Sequence, residues 1–257
     1  MKNHIVKVLE IQSLTYNVKR FVIEKPTGFI FTPGQSTDVS INKPGLEDIL
    51  RPYSFTCCNS DNYLEFVIKI HTEHNGVTEK LADLETGDEL IIHEVFGSLK
   101  YKGPGVFIAR GSGITPFLAI LRQLKLNNAL RHNILLFANH FDQDIILKDE
   151  LDEMLGDRCQ HILDHHAKDD VDSGRINNML LEAYWDPISH YYICGPDDFV
   201  YKMIDDLIDI GVDEEKIVIE VEKSSQLPAI VNDETNHIGD NKSPIKSNTT
   251  LLTLSNI

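Results

Sequence analysis

The sequence is short of positive charge. Its 24 lysines and arginines face 40 aspartates and glutamates, so the formal net charge is −16 at pH 7. A protein that binds nucleic acid needs clustered basic side chains to neutralise phosphates. Anionic lipid surfaces attract basic segments for the same reason. The composition therefore argues against a nucleic-acid partner and, more weakly, against docking on anionic lipid.

Cysteine is scarce too. The chain contains four cysteines, which are Cys57, Cys58, Cys159 and Cys194. Their spacing matches neither a zinc site nor the run of thiolates that holds an iron–sulfur cluster. We therefore predict no metal site and interpret the adjacent Cys57 and Cys58 as strand residues of a reduced cytosolic protein.

Long apolar runs are missing as well. No stretch approaches the roughly 18 apolar residues that a membrane-spanning helix requires. The first residues, MKNHIVKVLEIQSL, alternate polar and apolar side chains and contain no signal-peptide core. We expect a cytoplasmic protein without a membrane span.

Residues 1–102 consist of short alternating runs separated by turn-forming residues. The runs are HIVKVLEIQSL, VKRFVIEK, STDVSIN, YSFTCC, LEFVIKIH and DELIIHEV. Breakers such as Pro33-Gly34 and Asn75-Gly76 lie between them. Several short strands at this spacing predict an antiparallel barrel or sandwich.

From residue 103 the pattern changes to strands that alternate with helices. The strands are GVFIAR, HNILLFANH, CQHILDHH, HYYICG and KIVIEVE, and the helices are PFLAILRQLKL, KDELDEML, RINNMLLEAY and PDDFVYKMIDDLIDI. This alternation predicts an α/β domain with a parallel sheet over residues 103–222. Residues 223–257 are polar and lack aromatic side chains, so we expect a flexible tail.

A glycine-rich loop follows the first strand of the second half. Its residues are Gly111, Ser112, Gly113, Ile114, Thr115 and Pro116. Glycines let main-chain N–H groups approach a pyrophosphate at the start of a helix, and Pro116 suits a first helical turn. An ordinary strand-to-helix turn is the alternative. A standard Rossmann motif fits poorly, because the third glycine is missing and the second strand ends in Asn139-His140 without an acidic residue.

Four segments together resemble the ferredoxin–NADP⁺ reductase superfamily. In order, they are Arg51-Pro52-Tyr53-Ser54, Gly76-Val77-Thr78, the glycine-rich loop, and Cys194-Gly195-Pro196. The likeness covers residues 1 to about 222 and is nearest to stand-alone bacterial flavodoxin- or ferredoxin-reductase-like FAD oxidoreductases. It implies an N-terminal antiparallel Greek-key β-barrel that binds FAD, followed by a parallel-sheet α/β domain that binds the nicotinamide dinucleotide.

The resemblance also implies roles in flavin binding. Arg51 would pair with the FAD pyrophosphate, Tyr53 would cover one face of the isoalloxazine ring, and Ser54 would hydrogen-bond near N5. The remaining implied contacts are main-chain groups of Ile68 and Lys69 on the flavin, and of Gly76, Val77 and Thr78 on the pyrophosphate. The alternative for each is structural: an exposed strand arginine, a half-buried tyrosine or a hairpin glycine.

On the other side, Cys194 would lie beside C4 of the nicotinamide, with Gly195 and Pro196 behind it. Ser54 and Cys194 would then be the catalytic pair that faces the same reacting atoms. The alternative is that Cys194 is a small buried residue at a strand end.

Two departures from the family pattern carry expectations of their own. Nothing after Tyr201 is aromatic, so the second flavin face would be uncapped or differently capped and open to oxygen. Leu163-Asp164-His165-His166 stands where relatives that prefer NADPH hold a 2′-phosphate with Ser or Thr and Arg. An acidic side chain suits a ribose hydroxyl, so NADH is slightly favoured over NADPH, although Lys168 or Arg175 could serve a phosphate.

The histidines near Asp164 suggest a metal site only at first sight. His161, Asp164, His165 and His166 lie on or just past a strand, where successive side chains face opposite ways. A solvated strand end is therefore favoured.

The sequence thus predicts an FAD-dependent oxidoreductase that takes hydride from NADH or NADPH. The acceptor would be flavodoxin, ferredoxin or a small molecule. The net charge opposes an acidic protein acceptor; Arg122, Lys125 and Arg131 could form a local basic patch, but a solvated helix face is favoured. The alternatives are an electron-transfer subunit of a larger complex and a non-catalytic flavin-binding module.

Overall fold

A computed structural model of the chain describes residues 3–70, 77–164 and 175–220. Gly76, His165, His166, Lys168 and the predicted tail over 223–257 lie outside the described residues. No helix of the described segments is long and apolar enough to cross a membrane.

The first half is a nearly closed antiparallel barrel, as the sequence predicts. Its elements are β1 (His4–Ser13), β2 (Val18–Glu24), β3 (Ser36–Ile41), β4 (Arg51–Ser54), β5 (Tyr63–Lys69), α1 (Val77–Ala82) and β6 (Glu89–Phe96). The six strands are ordered β4-β3-β6-β1-β2-β5. The two ends of this order meet just past β4, where the Thr56 N–H donates to the Glu65 carbonyl at 3.0 Å.

The barrel interior is filled by aromatic and branched side chains. Alternate residues of β1 point inward, and Val6 and Val8 are buried. Three phenylalanines, Phe21, Phe55 and Phe66, are fully buried in the same cluster. Period-two alternation therefore gives this half one dry face and one wet face.

The second half is a parallel sheet with helices between its strands. Its elements are β7 (Gly105–Arg110), α2 (Thr115–Leu126), β8 (Asn133–Asn139), α3 (Lys148–Leu155), β9 (Cys159–Leu163), α4 (Asn178–Ala183), β10 (His190–Cys194), α5 (Asp197–Asp209) and β11 (Ile217–Val218). The strand order is β11-β10-β7-β8-β9. β8 and β9 are added on one side of β7, whereas β10 and β11 are added on the other side, so the order of strands reverses between β7 and β10. Ligands of such sheets bind at the carboxyl ends of the strands beside this switch point.

The strands of the parallel sheet are buried on both faces. Phe107 and Ala109 belong to one core cluster, whereas Val106 and Ile108 belong to another on the opposite face. This explains why β7 reads as a continuous apolar run in the sequence.

The barrel packs directly on α2. Val18 and Val67 from the barrel share a core cluster with residues of this helix. Gly34 has φ of +99°, and a Cβ placed there would lie 2.5 Å from the Leu99 carbonyl oxygen and 3.2 Å from Ile120 of α2. Close packing at Gly34 thus brings the wall of the barrel against the helix that follows the glycine-rich loop.

Candidate active site at the interface of barrel and sheet

The glycine-rich loop packs against the main chain at the end of β10. A Cβ added to Gly113 would lie 2.2 Å from the Cys194 carbonyl oxygen and 2.7 Å from the Gly195 nitrogen. Real Cβ contacts are never so short, so only glycine fits this position. Two segments that are 80 residues apart in sequence, the loop and Cys194-Gly195-Pro196, therefore form one surface.

The loop itself leads into a helix, as predicted. Gly111–Ile114 forms a single 3₁₀ turn between β7 and α2, and Gly111 has φ of +53°. The Thr115 hydroxyl donates to the Ser112 carbonyl at 3.0 Å, and Pro116 lies in the first turn of α2. Main-chain N–H groups at such a junction, together with the helix dipole, favour an anion.

A cavity of about 290 Å³ opens beside this loop. Gly111, Ser112 and Pro196 line it from the loop side, and Lys69 lines it from the barrel. Asn139 and His140, at the carboxyl end of β8, form another wall. The cavity therefore lies where the barrel, the loop and the carboxyl edge of the sheet meet.

Unpartnered polar atoms point to a ligand in this cavity. Asn139 is only 4% exposed, and neither its amide nitrogen nor its amide oxygen has a hydrogen-bond partner within the described segments. Buried amides in folded proteins are almost always hydrogen-bonded. A polar ligand such as the dinucleotide would satisfy Asn139, a residue that the sequence marked only as the end of a strand.

The predicted flavin-binding residues of strand β4 differ in how far they are exposed to solvent. Arg51 is exposed, and its guanidinium donates to the Leu50 carbonyl at 2.7 Å. Pro52, Tyr53 and Ser54 are half-buried. The Tyr53 hydroxyl has no partner among residues 3–70, 77–164 and 175–220, and burial raises the pKa of this phenol against a smaller opposing effect of Arg51. The exposed guanidinium of Arg51 and the ring and unpartnered hydroxyl of Tyr53 fit the pyrophosphate and the ring system of a flavin dinucleotide.

The other predicted flavin contacts lie on β5 and α1. Ile68 is buried, Lys69 is exposed, and both belong to β5, which ends the strand order of the barrel. Val77 and Thr78 open α1, whereas Gly76 falls outside the described residues. Within the described segments no strand pairs with β5 on the side away from β2, so beyond the Thr56–Glu65 hydrogen bond its main chain could bind a ligand.

Cys194 is held as a neutral thiol. Burial raises its pKa to about 12, with Glu220 adding to the shift and a main-chain hydrogen bond from Gly195 opposing it. All four cysteines are unpaired and buried. A buried, neutral thiol at this position can act by shape and as a weak donor, but not as a thiolate nucleophile.

Glu220 is a residue that sequence reasoning missed. Its carboxylate accepts hydrogen bonds from the Ser98 and Leu99 N–H groups at 2.8 and 2.9 Å. It therefore ties the chain past β11 to the segment that leaves the barrel. Nothing in the sequence separates this glutamate from the other acidic residues, because its partners are main-chain groups more than 120 positions away.

Glu220 is also connected to Ser54, and its charge helps raise the pKa of Cys194. Gly97, which is next to Ser98, approaches both Glu220 and Gln35. Ser36 pairs with Phe96 on one side and with Ser54 on the other, and the two serine hydroxyls are 3.2 Å apart. A short series of contacts thus joins Ser54 to the carboxylate that influences Cys194.

Asp164 already bonds to two side chains. Its two oxygens contact Arg110 at 2.9 Å and His140 Nδ1 at 2.5 Å. The ends of β7, β8 and β9 are therefore joined beside the cavity. His161 instead bonds to Asp152 at 2.7 Å, with Cys159 Sγ at 3.6 Å, so His161 and Asp164 face different surroundings.

One expectation for the surface of α2 was wrong. Arg122 is not on a solvated helix face, because its side chain is 18% exposed and lies in an ion-pair network across the interface. Lys125 is 49% exposed and pairs with Glu153, as a solvated residue does. Period alone could not distinguish the two, since both lie on the polar side of the helix.

Comparison with known proteins supports this geometry. The model of the oxidoreductase NAD-binding domain family matches residues 107–205. NADH–cytochrome b5 reductase 1 of Arabidopsis thaliana is 32% identical over 57% of this chain and 55% of its own length. Ferredoxin–NADP reductase B of Sorangium cellulosum is 29% identical over 76% of this chain and 86% of its own length. The chain matches about half the length of the b5 reductases from Arabidopsis thaliana and Mycosarcoma maydis.

Solved structures show the same fold. A ferredoxin NADP⁺ reductase from Neisseria gonorrhoeae, with bound FAD and NADP, superposes with a TM-score of 0.73 at 22% identity, covering 85% of this chain and 98% of that one. The flavohem-like FAD/NAD-binding domain of a nitric oxide dioxygenase from Vibrio cholerae gives a TM-score of 0.74 at 24% identity over the same shares. The chain therefore has the fold of these FAD- and dinucleotide-binding proteins, an antiparallel barrel followed by a parallel sheet, and its second half matches the oxidoreductase NAD-binding domain family.

Proposed function

We propose that the protein is an FAD-dependent oxidoreductase that takes hydride from NADH or NADPH and passes the electrons to an acceptor. One observation carries the proposal: the loop Gly111–Pro116 packs main chain to main chain on Cys194-Gly195, beside a cavity that the barrel also lines. The names of the relatives agree, since both the b5 reductases and the ferredoxin reductases use a nicotinamide dinucleotide. We assign the barrel to residues 1–102 and the dinucleotide domain to residues 103–222.

In this proposal the barrel holds the flavin. Arg51 binds the pyrophosphate, the Tyr53 ring lies against the isoalloxazine, and its hydroxyl finds a partner on the ligand. Ser54 holds a proton near N5, and Val77 and Thr78 offer main-chain N–H groups. FAD, when bound, supplies the atom that accepts hydride and can release electrons singly.

The α/β domain orients the nicotinamide. The glycine-rich loop would hold its pyrophosphate and Cys194 would pack beside the ring, so that these residues orient the hydride donor and exclude water. NADH is the favoured donor, because a 2′-phosphate would meet the Asp164 carboxylate beside the cavity. That carboxylate also keeps Arg110 and His140 from binding a phosphate.

The coenzyme preference has a direct test. Asp164→Asn would free Arg110, so the ratio of kcat/KM for NADPH to that for NADH should rise about tenfold, which is ~1.4 kcal/mol of discrimination. Asp142→Asn, at an exposed ion pair with Lys148, is the matched control. A wild-type preference for NADPH over NADH would contradict the proposed preference for NADH.

The acceptor is proposed only by class. Cytochrome b5 and ferredoxin stand in the names of relatives, and flavodoxin or a small molecule fit the same chemistry. A net charge of −16 favours a neutral acceptor or one with a basic face. We propose that this chemistry takes place in the cytoplasm.

The visible spectrum of purified protein tests the class of function. After incubation with FAD, the protein should retain flavin bands, and anaerobic NADH or NADPH should bleach them. Protein that retains no flavin, or whose flavin neither dinucleotide bleaches, would contradict the proposal.

A further inference from the structure

Arg122 of α2 makes four hydrogen bonds, two to the barrel and two to α3. Its Nη1 donates to the Thr56 carbonyl at 2.7 Å and to Glu65 Oε1 at 2.5 Å. Its Nε and Nη2 bind Glu150 of α3 at 2.6 and 2.7 Å, as a bidentate pair. One planar side chain thus joins the α/β domain to two residues of the barrel.

On the barrel side, the partner of Arg122 is a buried carboxylate with further hydrogen bonds. Glu65 is 1% exposed and also accepts from Arg20 Nε at 2.6 Å and from the Thr56 hydroxyl at 2.8 Å. Burial alone would raise the pKa of Glu65, but Arg122 and Arg20 outweigh it, so the pKa lies below its ordinary value. Glu65 is therefore a fixed carboxylate, and we call Arg122, Glu65, Glu150, Arg20 and Thr56 the Arg122 network.

The Arg122 network lies between the two halves of the proposed site. Thr56 comes two residues after Ser54 on the chain that leaves β4, and Glu65 is on β5, the strand that carries Ile68 and Lys69. Arg122 is on α2, whose first turn continues the glycine-rich loop. Movement of α2 relative to the barrel would move the nicotinamide loop relative to the flavin strand.

We propose that Arg122 is a positioning residue for hydride transfer, which sets the glycine-rich loop at a fixed distance from the flavin strand β4. This inference rests on the proposed function. The bidentate pair with Glu150 holds the planar guanidinium in one orientation, so the two bonds from Nη1 to the barrel have a fixed direction as well as a fixed distance, which an apolar contact does not provide. Transfer between two bound rings depends steeply on their separation, and a misplacement of about 1 Å can cost about 100-fold in rate.

Stability alone explains the network less well. Val18 and Val67 already pack with α2 in a shared apolar cluster, so the two halves do not need an ion pair to stay together. A buried ion pair adds little net stability over apolar residues of the same size, because its charges lose their hydration. What the network adds to the apolar contact is a defined orientation.

The test uses Arg122→Met in the full chain, loaded with FAD. Anaerobic rapid mixing with excess NADH gives the limiting rate of flavin bleaching, its half-saturating NADH concentration and any long-wavelength absorbance from stacked nicotinamide and flavin. We expect the limiting rate to fall about 10- to 100-fold and the stacking absorbance to weaken, while FAD content and half-saturation change less than about threefold. Arg122→Lys should recover part of the rate.

Lys125→Met is the matched control, since it removes a cation from the same helix whose ion pair is exposed. A limiting rate for Arg122→Met within twofold of the wild type would overturn the inference. If Arg122→Met does not fold, Arg122→Lys takes its place, because it keeps the charge but loses the planar guanidinium that bonds the barrel and Glu150 together. A folded Arg122→Lys variant with an undiminished rate and stacking absorbance would then overturn the inference. Failure of the wild type to bleach instead rejects the proposed function, so the two failures are distinct.

Discussion

At the scale of single residues, the site depends on positions where one atom decides what fits. Gly113 has no room for a side chain against the Cys194 carbonyl, whereas nothing lies within 4 Å of a Cβ at Gly111, which needs glycine only for its positive φ. Glycine is therefore required at the two positions for different physical reasons, which are close packing at Gly113 and backbone conformation at Gly111. They should respond differently to the same substitution.

We expect Gly113→Ala to damage the site more than Gly111→Ala. The first substitution forces the loop away from β10, so dinucleotide binding should be lost and unfolding should occur at lower denaturant concentration. The second costs about 1–2 kcal/mol of backbone strain and leaves the contact with β10 intact. Urea unfolding and NADH titration of both variants measure this; equal losses would contradict the assignment.

Cys194 gives a pH prediction. Because its pKa is raised to about 12, the thiol stays protonated throughout pH 6–9. Cys194→Ala should therefore lower the limiting rate of flavin bleaching by a similar factor across that range, since the missing thiol group never titrates. Cys159→Ala, which removes another buried thiol, is the control. A wild-type rate step near pH 8 that vanishes in Cys194→Ala would refute this.

At the scale of elements, the helix α2 connects everything the site needs. It begins at the glycine-rich loop, packs its apolar side on the parallel sheet and reaches the barrel through Arg122. Its partner Glu65 lies on β5, where an acidic residue inside a mostly buried strand would be unfavourable without its two arginines.

Acid should weaken the contact between these elements. The pKa of Glu65 is lowered from 4.5, so its contribution to stability is complete above that value and is lost as the pH falls through the folded-state pKa. Glu65→Gln should lower the free energy of unfolding at pH 7, by up to about 3–5 kcal/mol. The difference from the wild type should shrink on acidification below pH 4.5.

Urea unfolding between pH 7 and 3.5 measures both effects. Glu153→Gln, at an exposed pair, is the control and should change stability by less than about 1 kcal/mol. A gap between wild type and Glu65→Gln that stays constant down to pH 3.5 would show that the carboxylate is not the stabilising species.

The elements themselves were largely readable from the sequence. KDELDEML coincides with α3, and the apolar run GVFIAR coincides with β7. By contrast, the predicted strand YSFTCC begins and ends later in the chain than β4, which ends at Ser54. The helix α1 was not predicted. Period and turn residues report local structure, so the short helix after a glycine escaped notice.

The candidate site was readable only in part, for a different reason. The order of the motifs predicted the glycine-rich loop and Cys194, because they lie at the carboxyl ends of two strands that must share one edge of the sheet. The roles of Glu220, Arg122 and Asn139 were not readable. Each depends on a partner, or on the lack of one, that arises only when the barrel meets the sheet, and no spacing along the chain encodes that.

At the scale of the whole molecule, charge governs the encounter with an acceptor. The chain carries a formal −16, so an acidic acceptor protein is repelled at long range. With ferredoxin or flavodoxin as acceptor, turnover should rise as salt increases from about 20 to 200 mM, because screening removes the repulsion. With a neutral quinone it should stay flat. Turnover with an acidic acceptor that falls with salt would reveal a local basic docking face.

The contact of Glu220 with Ser98 and Leu99 restricts how the molecule can open. Within the part of the chain that the structure describes, the polypeptide passes from barrel to sheet between β6 and β7, and Glu220, past β11, bonds to that same passage. A swinging motion about the covalent linker would tear the carboxylate from both N–H groups. We therefore expect widening that admits or releases a dinucleotide to proceed by sliding of packed surfaces, in the manner of shear rather than of a hinge.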